Sequence, residues 1–335
     1  MKQSSLTIAI PTYNRIEKLK KQIIRLLQQM GESDLLLISD NATPESLSDV
    51  LKPLVDDPRI ILHKNENNIG LTANIVKCFE RVNTEWMWLL SDDDDVLPNA
   101  LDTIRCYITS GVADFVTFTT DLGTSNGVDI FCDSFSTYLS SINCNFGNHL
   151  LISNNLYRMN MIRPYMKFLY WGCYVNAPHI APVFYALENN VNARLILSGK
   201  SVVKWNKPDI HDTWNASGVY NILFLPDILT SSMLRSKAIK ALLRGLPKPE
   251  ALIAQLAFNK INDPSSSDKI DSYANTIMNI YINYGGLNLS VRAFLLKKMI
   301  KYPRLYLKIL GGIFKIIRNR PISDVLQNKG FKFYL

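Results

Sequence analysis

The stretch Trp86–Pro98, WMWLLSDDDDVLP, joins an apolar run to four consecutive aspartates. The run Trp86–Leu90 is short and bounded by polar residues, so it predicts a buried β-strand. Adjacent carboxylates repel one another and are costly unless a cation neutralises them. Mg²⁺ or Mn²⁺ held by one or two carboxylates completes its shell with phosphate oxygens and water. The sequence therefore predicts a metal that carries a diphosphate; a solvated acidic loop capping the helix near Pro98 is the alternative.

Strand and helix patterns alternate on both sides of this stretch. Apolar spacing predicts five strands, at Leu6–Ile10, Leu35–Ser39, Arg59–His63, Trp86–Leu90 and Asp114–Phe118. It predicts helices at Ile16–Met30, Pro44–Leu54, Thr72–Val82 and Pro98–Tyr107. Such alternation with short connections favours an α/β fold with a mostly parallel sheet flanked by helices.

Polar clusters follow three of the predicted strands. They are Thr12–Arg15, Asp40–Asn41 and Asp92–Asp95. Ligands of parallel α/β sheets bind outside the carboxyl ends of the strands. We therefore expect these clusters to form one site.

The rest of the chain predicts a second domain. The pattern loosens after about residue 123, and residues 218–320 are typical of helices. We place the catalytic domain at residues 1–215 and a helical region at residues 216–335. The five cysteines form no CxxC pair, so we expect reduced thiols. Because no apolar stretch could cross a bilayer and no signal peptide is evident, the expected compartment is the cytoplasm.

The formal net charge of +8 is concentrated near the carboxyl terminus. Residues 287–320 contain no Asp or Glu, and their cations are Arg292, Lys297, Lys298, Lys301, Arg304, Lys308, Lys315, Arg318 and Arg320. Aliphatic and aromatic residues interleave with them, which suits an interfacial helix on an anionic membrane. Nucleic-acid binding and a core helix with a cationic outer face are the alternatives.

Four motifs in order resemble the GT-A (Rossmann-like) glycosyltransferases of family 2. They are Ile10–Arg15 (IPTYNR), Ile38–Thr43 (ISDNAT), Asn65–Gly70 (NENNIG) and Trp86–Pro98. Bacterial enzymes that build O-antigen and other surface polysaccharides are most similar, including the abequosyltransferase type. The resemblance covers residues 5–120 well and is weak beyond them.

The resemblance implies roles for the residues at the strand ends. Pro11, Thr12 and Tyr13 would lie against the nucleoside of a nucleotide-sugar donor, and Arg15 would approach its base or diphosphate. Asp40 matches a carboxylate that contacts a pyrimidine base. Tyr13 has packing as an alternative, Asp40 has an N-cap or Asx turn, and the Asn68–Gly70 segment is expected to shape its turn.

The Asp-x-Asp pattern of the family fits either Asp92 with Asp94 or Asp93 with Asp95. Because Val96-Leu97-Pro98 follows the run as in many members of the family, the resemblance favours Asp94 as the direct metal ligand. Asp92 or Asp93 would then contact the ribose or a metal-bound water, and Asp92 is a second candidate ligand. The implied cofactor is Mn²⁺ or Mg²⁺.

The catalytic base is not evident, because the chain lacks the Glu-Asp pair of inverting relatives. Two segments offer substitutes: Asn176–His179 (NAPH) and His211–Trp214 (HDTW). His179 and Asp212 are the candidate bases, with Glu188 weaker, and His211 is a candidate metal ligand. Contact with the diphosphate or the acceptor is an equal alternative for His179, and a structural role is the alternative for both imidazoles.

The predicted function is metal-dependent transfer of a sugar from a nucleoside-diphosphate donor to a hydroxyl of a lipid-linked glycan, with inversion as the family default. The expected location is peripheral, on the cytoplasmic face of a bacterial inner membrane, and no nucleic-acid partner is expected. An inactive scaffold subunit is one alternative. A haloacid-dehalogenase-like phosphatase is another, although its acidic loop normally follows the first strand. The sequence does not name the sugar.

Overall fold

Strands and helices alternate through the amino-terminal part of the chain, as the sequence predicts. The computed structural model describes residues 6–120, 127–142, 146–190, 192–205, 216–246 and 248–318. The strands are β1 (Leu6–Thr12), β2 (Leu35–Asp40), β3 (Ile60–Lys64), β4 (Trp86–Leu89), β5 (Asp95–Val96), β6 (Phe115–Thr117), β7 (Ile130–Cys132), β8 (Asn155–Arg158), β9 (Leu195–Leu197) and β10 (Val203–Lys204).

The α-helices lie between and after these strands. They are α1 (Ile16–Leu27), α2 (Leu47–Val50), α3 (Leu71–Arg81), α4 (Ala100–Ser110), α5 (Phe135–Ile142), α6 (Phe146–Leu150), α7 (Met159–Ile162), α8 (Lys167–Tyr174), α9 (Ala181–Asn189), α10 (Ala216–Asn221), α11 (Ser232–Gly245), α12 (Pro249–Asn262), α13 (Ser267–Tyr284), α14 (Gly286–Met299) and α15 (Pro303–Arg318). Short 3₁₀ helices cover Leu54–Asp56, Ile152–Asn154, Arg163–Tyr165, Ile222–Ile228 and Pro264–Ser266.

The main sheet has the strand order β3-β2-β1-β4-β8-β6-β9-β7 among the described residues. Strands β1 to β4 are mutually parallel, and β6 pairs with β9 in parallel. Strand β8 enters antiparallel between β4 and β6, and β7 pairs antiparallel with β9. The predicted α/β class with a mostly parallel, helix-flanked sheet is therefore confirmed, with two antiparallel strands added.

Alternation along β1 directs side chains to two buried layers. Leu6, Ile8 and Ile10 join a core with Leu19, Ile23 and Leu26 of α1 and with residues of α4. Helix α3 packs against β1 and β2, where its Phe79 is buried. A sheet covered on both faces needs apolar residues at consecutive strand positions, which is why β1 and β4 are buried throughout.

Two prolines alter the predicted boundaries. Strand β1 continues through Pro11 to Thr12, because its pairing with β4 ends at Ala9 and leaves β2 as its neighbour there. The helix predicted at Pro44–Leu54 is shorter, since α2 ends at Val50 and a 3₁₀ helix follows Pro53. Proline has no N–H to continue the helical hydrogen bonds.

The chain divides into two compact units. Unit 1 comprises residues 1–206 and 227–237, and unit 2 comprises residues 207–226 and 238–335; the sequence prediction placed one boundary between residues 215 and 216. The described part of unit 2 is helical, with α12 packed against α13 and α15, and α13 against α14. No helix in the described ranges is both long and apolar enough to span a membrane.

Candidate functional site

The three polar clusters meet at the carboxyl edge of the parallel strands. Thr12 of β1 lies in register with Asp40 of β2, and Ala9 lies opposite Leu89 of β4. The Thr12 hydroxyl donates a hydrogen bond to Asp92 Oδ2 at 2.7 Å. The predicted convergence of the clusters is therefore present in the structure.

Arginines compensate part of the charge of the acidic run. One guanidinium nitrogen of Arg15 lies 3.0 Å from Asp92 Oδ1 and 2.9 Å from Asp93 Oδ2. Arg25 of α1 pairs with Asp95. Burial raises the pKa of Asp92, while Arg15 and the Thr12 hydroxyl oppose that rise. Arg15 thus already touches the carboxylates that we expect beside a diphosphate.

Asp94 is held by a serine that sequence reasoning missed. Ser153, in the 3₁₀ helix before β8, donates a hydrogen bond to Asp94 Oδ2 at 2.5 Å. Its hydroxyl also accepts a hydrogen bond from the Ser91 backbone N–H at 2.9 Å. This serine is distant in sequence and in a segment without periodicity, so no sequence signal pointed to it.

Helix α1 holds the backbone of the same run. Gln22 is buried, and its Nε2 donates to the carbonyl oxygens of Ser91 at 3.1 Å and Asp94 at 2.5 Å. A signal for this role was available: Gln22 is a polar residue within the apolar stripe of Leu19, Ile23 and Leu26.

The donor set of the run fits a hard divalent cation. Asp92 and Asp94 are both buried carboxylates, the ligand type that Mg²⁺ and Mn²⁺ prefer. Protein donors already contact both oxygens of Asp92 and one oxygen of Asp94. No group of three His, Cys, Asp or Glu side chains suited to a metal occurs among the described residues. Two carboxylates suffice for a metal whose shell is completed by phosphate oxygens and water.

Asp40 uses one carboxylate oxygen within the protein. Its Oδ1 accepts hydrogen bonds from the Thr43 backbone N–H at 3.0 Å and from the Thr43 hydroxyl at 2.5 Å, which matches the Asx-turn alternative. Its Oδ2 is buried and receives no hydrogen bond from any group that the structure describes. A buried acceptor without a donor costs free energy, so Oδ2 suits an N–H or O–H donor from a ligand.

The Asn65–Gly70 loop is tied to the end of β2. Asn68 Oδ1 accepts from the Asn41 side chain at 2.7 Å and from the Gly70 N–H at 3.0 Å. Gly70 has a φ of +84°, which favours glycine. Asn68 and Gly70 therefore shape the turn, as expected.

The backbone is unusual directly after β1 and β2. Asn14 and Ala42 have positive φ angles of 53° and 67°. Left-handed non-glycine residues are costly and cluster at functional sites. Pro11 is buried within β1. Tyr13, which lies between the end of β1 and Asn14, is exposed. Tyr13 is thus open to a ligand rather than packed into the core.

The candidate bases are less clearly placed. His179 is only 2% exposed, and burial lowers its pKa to about 4. Among the residues that the structure describes, no group forms a hydrogen bond with its ring nitrogens, although the backbone of His149 and Leu150 lies near. Glu188 accepts hydrogen bonds from the N–H groups of Thr230 and Ser231 before α11. Its carboxylate thus has a structural use.

His211 and Asp212 lie outside the described residues. Their predicted roles, as metal ligand and as base, stay predictions. The same holds for His179, whose role no contact in the structure tests.

The sheet order, the flanking helices and the acidic run after β4 define a GT-A fold. Similar solved structures include residues 1–349 of S. aureus TarS, with a TM-score of 0.54, 11% identity, and coverage of 90% of this chain and 87% of that one. A mannosyltransferase from Pyrobaculum calidifontis, solved with GDP-Man and Mn²⁺, has a TM-score of 0.53 and 8% identity, and the match covers 95% of this chain and 88% of that one. At such identities these likenesses show the fold alone.

Sequence comparisons give the family. The profile described as "Glycosyl transferase family 2" matches residues 7–173, and this segment of the chain belongs to that family. It includes the strand-end clusters Thr12–Arg15, Asp40–Asn41 and Asp92–Asp95.

Two curated relatives match part of the chain. A GalNAc(5)-diNAcBac-PP-undecaprenol beta-1,3-glucosyltransferase of Campylobacter jejuni is 31% identical over 111 residues, 32% of this chain and 36% of the relative. Abequosyltransferase RfbV of Salmonella typhimurium is 28% identical over 111 residues, 31% of this chain and 33% of the relative. The matched segments therefore span about a third of each relative.

Proposed function

We propose that the chain transfers a sugar from a nucleoside-diphosphate donor to a hydroxyl group of a lipid-linked glycan. The observation that carries the proposal is the meeting of Thr12, Arg15, Asp40 and the acidic run at one sheet edge. That edge offers a buried carboxylate acceptor at Asp40, on one side of β1, and hard-oxygen ligands at Asp92 and Asp94, after β4 on its other side. The family of residues 7–173 supports the same chemistry.

Each residue of the site has its own role in donor binding. Asp94 and Asp92 would hold Mn²⁺ or Mg²⁺, which supplies Lewis-acid stabilisation of the departing diphosphate. Arg15 adds positive charge beside the carboxylates and orients Asp92 and Asp93. Thr12 and Ser153 fix the carboxylates of Asp92 and Asp94 through hydrogen bonds. Pre-positioned groups of this kind need little reorganisation when charge develops.

Acceptor activation is assigned to His179 or Asp212. Burial lowers the pKa of His179 to about 4, so its ring is neutral at pH 7 but is a weaker base than an exposed imidazole. If His179 is the base, His179→Gln should lower kcat about 100-fold or more and leave donor affinity unchanged. Inversion at the anomeric carbon is the outcome that we expect from the family.

The acceptor class is supported by the relatives. The Campylobacter jejuni relative carries a PP-undecaprenol glycan in its name, and the Salmonella typhimurium relative is an abequosyltransferase. A lipid-linked acceptor and the carboxylate-free cationic segment at residues 287–320 favour a peripheral position on the cytoplasmic face of an inner membrane. Synthesis of a surface polysaccharide such as O-antigen fits this setting.

A screen of nucleotide sugars tests the proposal. UDP-, GDP-, CDP- and dTDP-sugars are incubated with the protein, with and without Mn²⁺, and donor hydrolysis or transfer is measured. We expect turnover of at least one donor, lost in Asp94→Asn and kept in the matched control Asp102→Asn, whose aspartate lies exposed on α4. Nucleotide binding without turnover of any donor would favour the inactive scaffold instead.

A further inference from the structure

A cavity lined by three lysines lies in unit 2, within its own helices. Lys297 and Lys298 of α14, together with Lys301 and Phe294, line a cavity of about 420 Å³ that also touches Asn275 of α13. Lys298 Nζ lies 4.5 Å from the centroid of the Phe294 ring, and Lys297 Nζ donates a hydrogen bond to Asn279 Oδ1 at 2.8 Å. The cavity has the volume of a small-ligand site.

The carboxylates of residues 248–318 do not pair with the lysines of this cavity. Asp271 pairs with Lys260 at 2.6 Å, and Glu250 pairs with Arg292 at 2.6 Å. Within residues 248–318, no ion pair joins Lys297, Lys298 or Lys301 to a carboxylate. Three lysines that border one cavity, with no carboxylate partner in residues 248–318, attract an anion with several acceptor oxygens, such as a phosphate group.

The same helices expose apolar side chains beside the cavity. On α14 these are Leu287, Val291, Phe294 and Leu295, at spacings that place them on one helix face, while Ala293 and Leu296 are buried on the other. Tyr302, Leu305 and Ile309 continue the exposed apolar set, and Leu287 reaches 85% exposure. Apolar side chains exposed among cations on one helix face are typical of an interfacial helix.

We propose that Lys297, Lys298 and Lys301 form a binding site for the phosphate of an anionic phospholipid headgroup. The exposed apolar side chains of α14 and of the Tyr302–Ile309 segment enter the acyl boundary of the same bilayer. The cavity thereby converts general attraction to a membrane into a site with defined residues. The inference rests on the proposed membrane contact and is independent of donor chemistry.

Vesicle binding tests the lysines directly. The full chain is sedimented with vesicles of phosphatidylcholine alone and of phosphatidylcholine mixed with phosphatidylglycerol. Each lysine near an anionic surface contributes a factor of about 5, so K297Q/K298Q/K301Q should weaken binding to the mixed vesicles by on the order of 100-fold. The control K240Q/K248Q/K269Q removes the same charge from exposed lysines of unit 2 and should bind within about 3-fold of the wild type. Equal losses in both triple variants would overturn the site, since net charge alone would then explain binding.

Two further arms identify the source of the phosphate. Titration with inorganic phosphate alone should show binding far weaker than that of mixed vesicles. Leu287→Ser/Leu295→Ser should lose vesicle binding while the lysines are intact. Tight binding of inorganic phosphate with no binding of vesicles would overturn the lipid assignment. Thermal unfolding verifies that each variant folds, and vesicle-free donor hydrolysis separates failure of this site from failure of the proposed transferase activity.

Discussion

Substitution of Asp40 distinguishes a ligand-binding role of this residue from a purely structural one. Asp40→Asn keeps Oδ1 as the acceptor for the Thr43 N–H and hydroxyl. It replaces the buried Oδ2, which receives no hydrogen bond from the described groups, by an amide nitrogen that only donates. A ligand N–H that donates to Oδ2 would therefore meet another donor in the variant.

The expected loss of nucleotide affinity follows from the replacement of this one oxygen by nitrogen. A hydrogen bond to a charged group contributes about 1.5–3 kcal/mol, which corresponds to roughly 10- to 150-fold in affinity. The free energy of unfolding should stay unchanged or rise by about 1 kcal/mol, because a buried charge without a second partner is removed. Isothermal titration with the preferred nucleoside diphosphate measures the first quantity, and urea unfolding measures the second.

Asp34→Asn is the matched control, since Asp34 is a buried aspartate at the opposite end of β2. It accepts hydrogen bonds from the Gly31 N–H at 2.7 Å and from Arg105 at 2.6 Å. We expect it to lose about 2 kcal/mol of stability and to keep nucleotide affinity. If Asp40→Asn instead loses stability and binds nucleotide like the wild type, Asp40 serves only the Asx turn and the base-binding role is refuted.

Three further predictions concern the hydrogen bonding and packing of unit 1. Ser153→Ala should weaken Mn²⁺-dependent nucleotide binding about 10-fold, because Asp94 loses a hydrogen bond at 2.5 Å. The control Ser140→Ala, on the surface of α5, should leave binding unchanged, and equal effects of the two substitutions would contradict the positioning role of Ser153. Gly172→Ala should cost about 1–3 kcal/mol in urea unfolding, because its Cβ would lie 2.6 Å from Pro178 Cα, whereas Gly147→Ala meets no atom within 4 Å and should not destabilise. Burial lowers the pKa of His149 to about 3, below its unfolded value of about 6.5, so the free energy of unfolding should fall as the pH drops below 6.5, by about 1.4 kcal/mol at pH 5.5. A free energy of unfolding that does not change with pH, or a pH dependence that His149→Gln leaves unaltered, would contradict this.

Local patterns predicted the half of the sheet that positions the site. Strands β1 to β4 are short apolar runs that end in polar residues, and the rule that ligands bind at carboxyl ends needs no tertiary contact. These two facts predict the convergence of Thr12, Asp40 and Asp92. The register of β1 and β2 pairs Thr12 with Asp40, and the Thr12 hydroxyl donates a hydrogen bond to Asp92.

Local sequence patterns do not predict the pairing of strands that are distant in the chain. Strand β8 enters between β4 and β6 although it follows them in the chain, and nothing local in Asn155–Arg158 specifies that neighbour. The support of Asp94 by Ser153 depends on this pairing, because it brings the 3₁₀ helix before β8 beside the acidic run. Gln22 differs, since a polar residue within an apolar helical stripe is a local signal for a buried hydrogen bond.

We propose that the carboxyl edge of β1, β2 and β4 binds a nucleoside diphosphate through a divalent cation on the acidic run. Calorimetric titration with UDP, GDP, CDP and dTDP, with and without Mn²⁺, tests it most directly. We expect at least one nucleotide to bind, with Mn²⁺ strengthening binding at least 10-fold. Asp94→Asn should abolish this gain, and Asp102→Asn should retain it. Absence of binding for all four nucleotides in the presence of Mn²⁺, or an undiminished Mn²⁺ effect in Asp94→Asn, would contradict it.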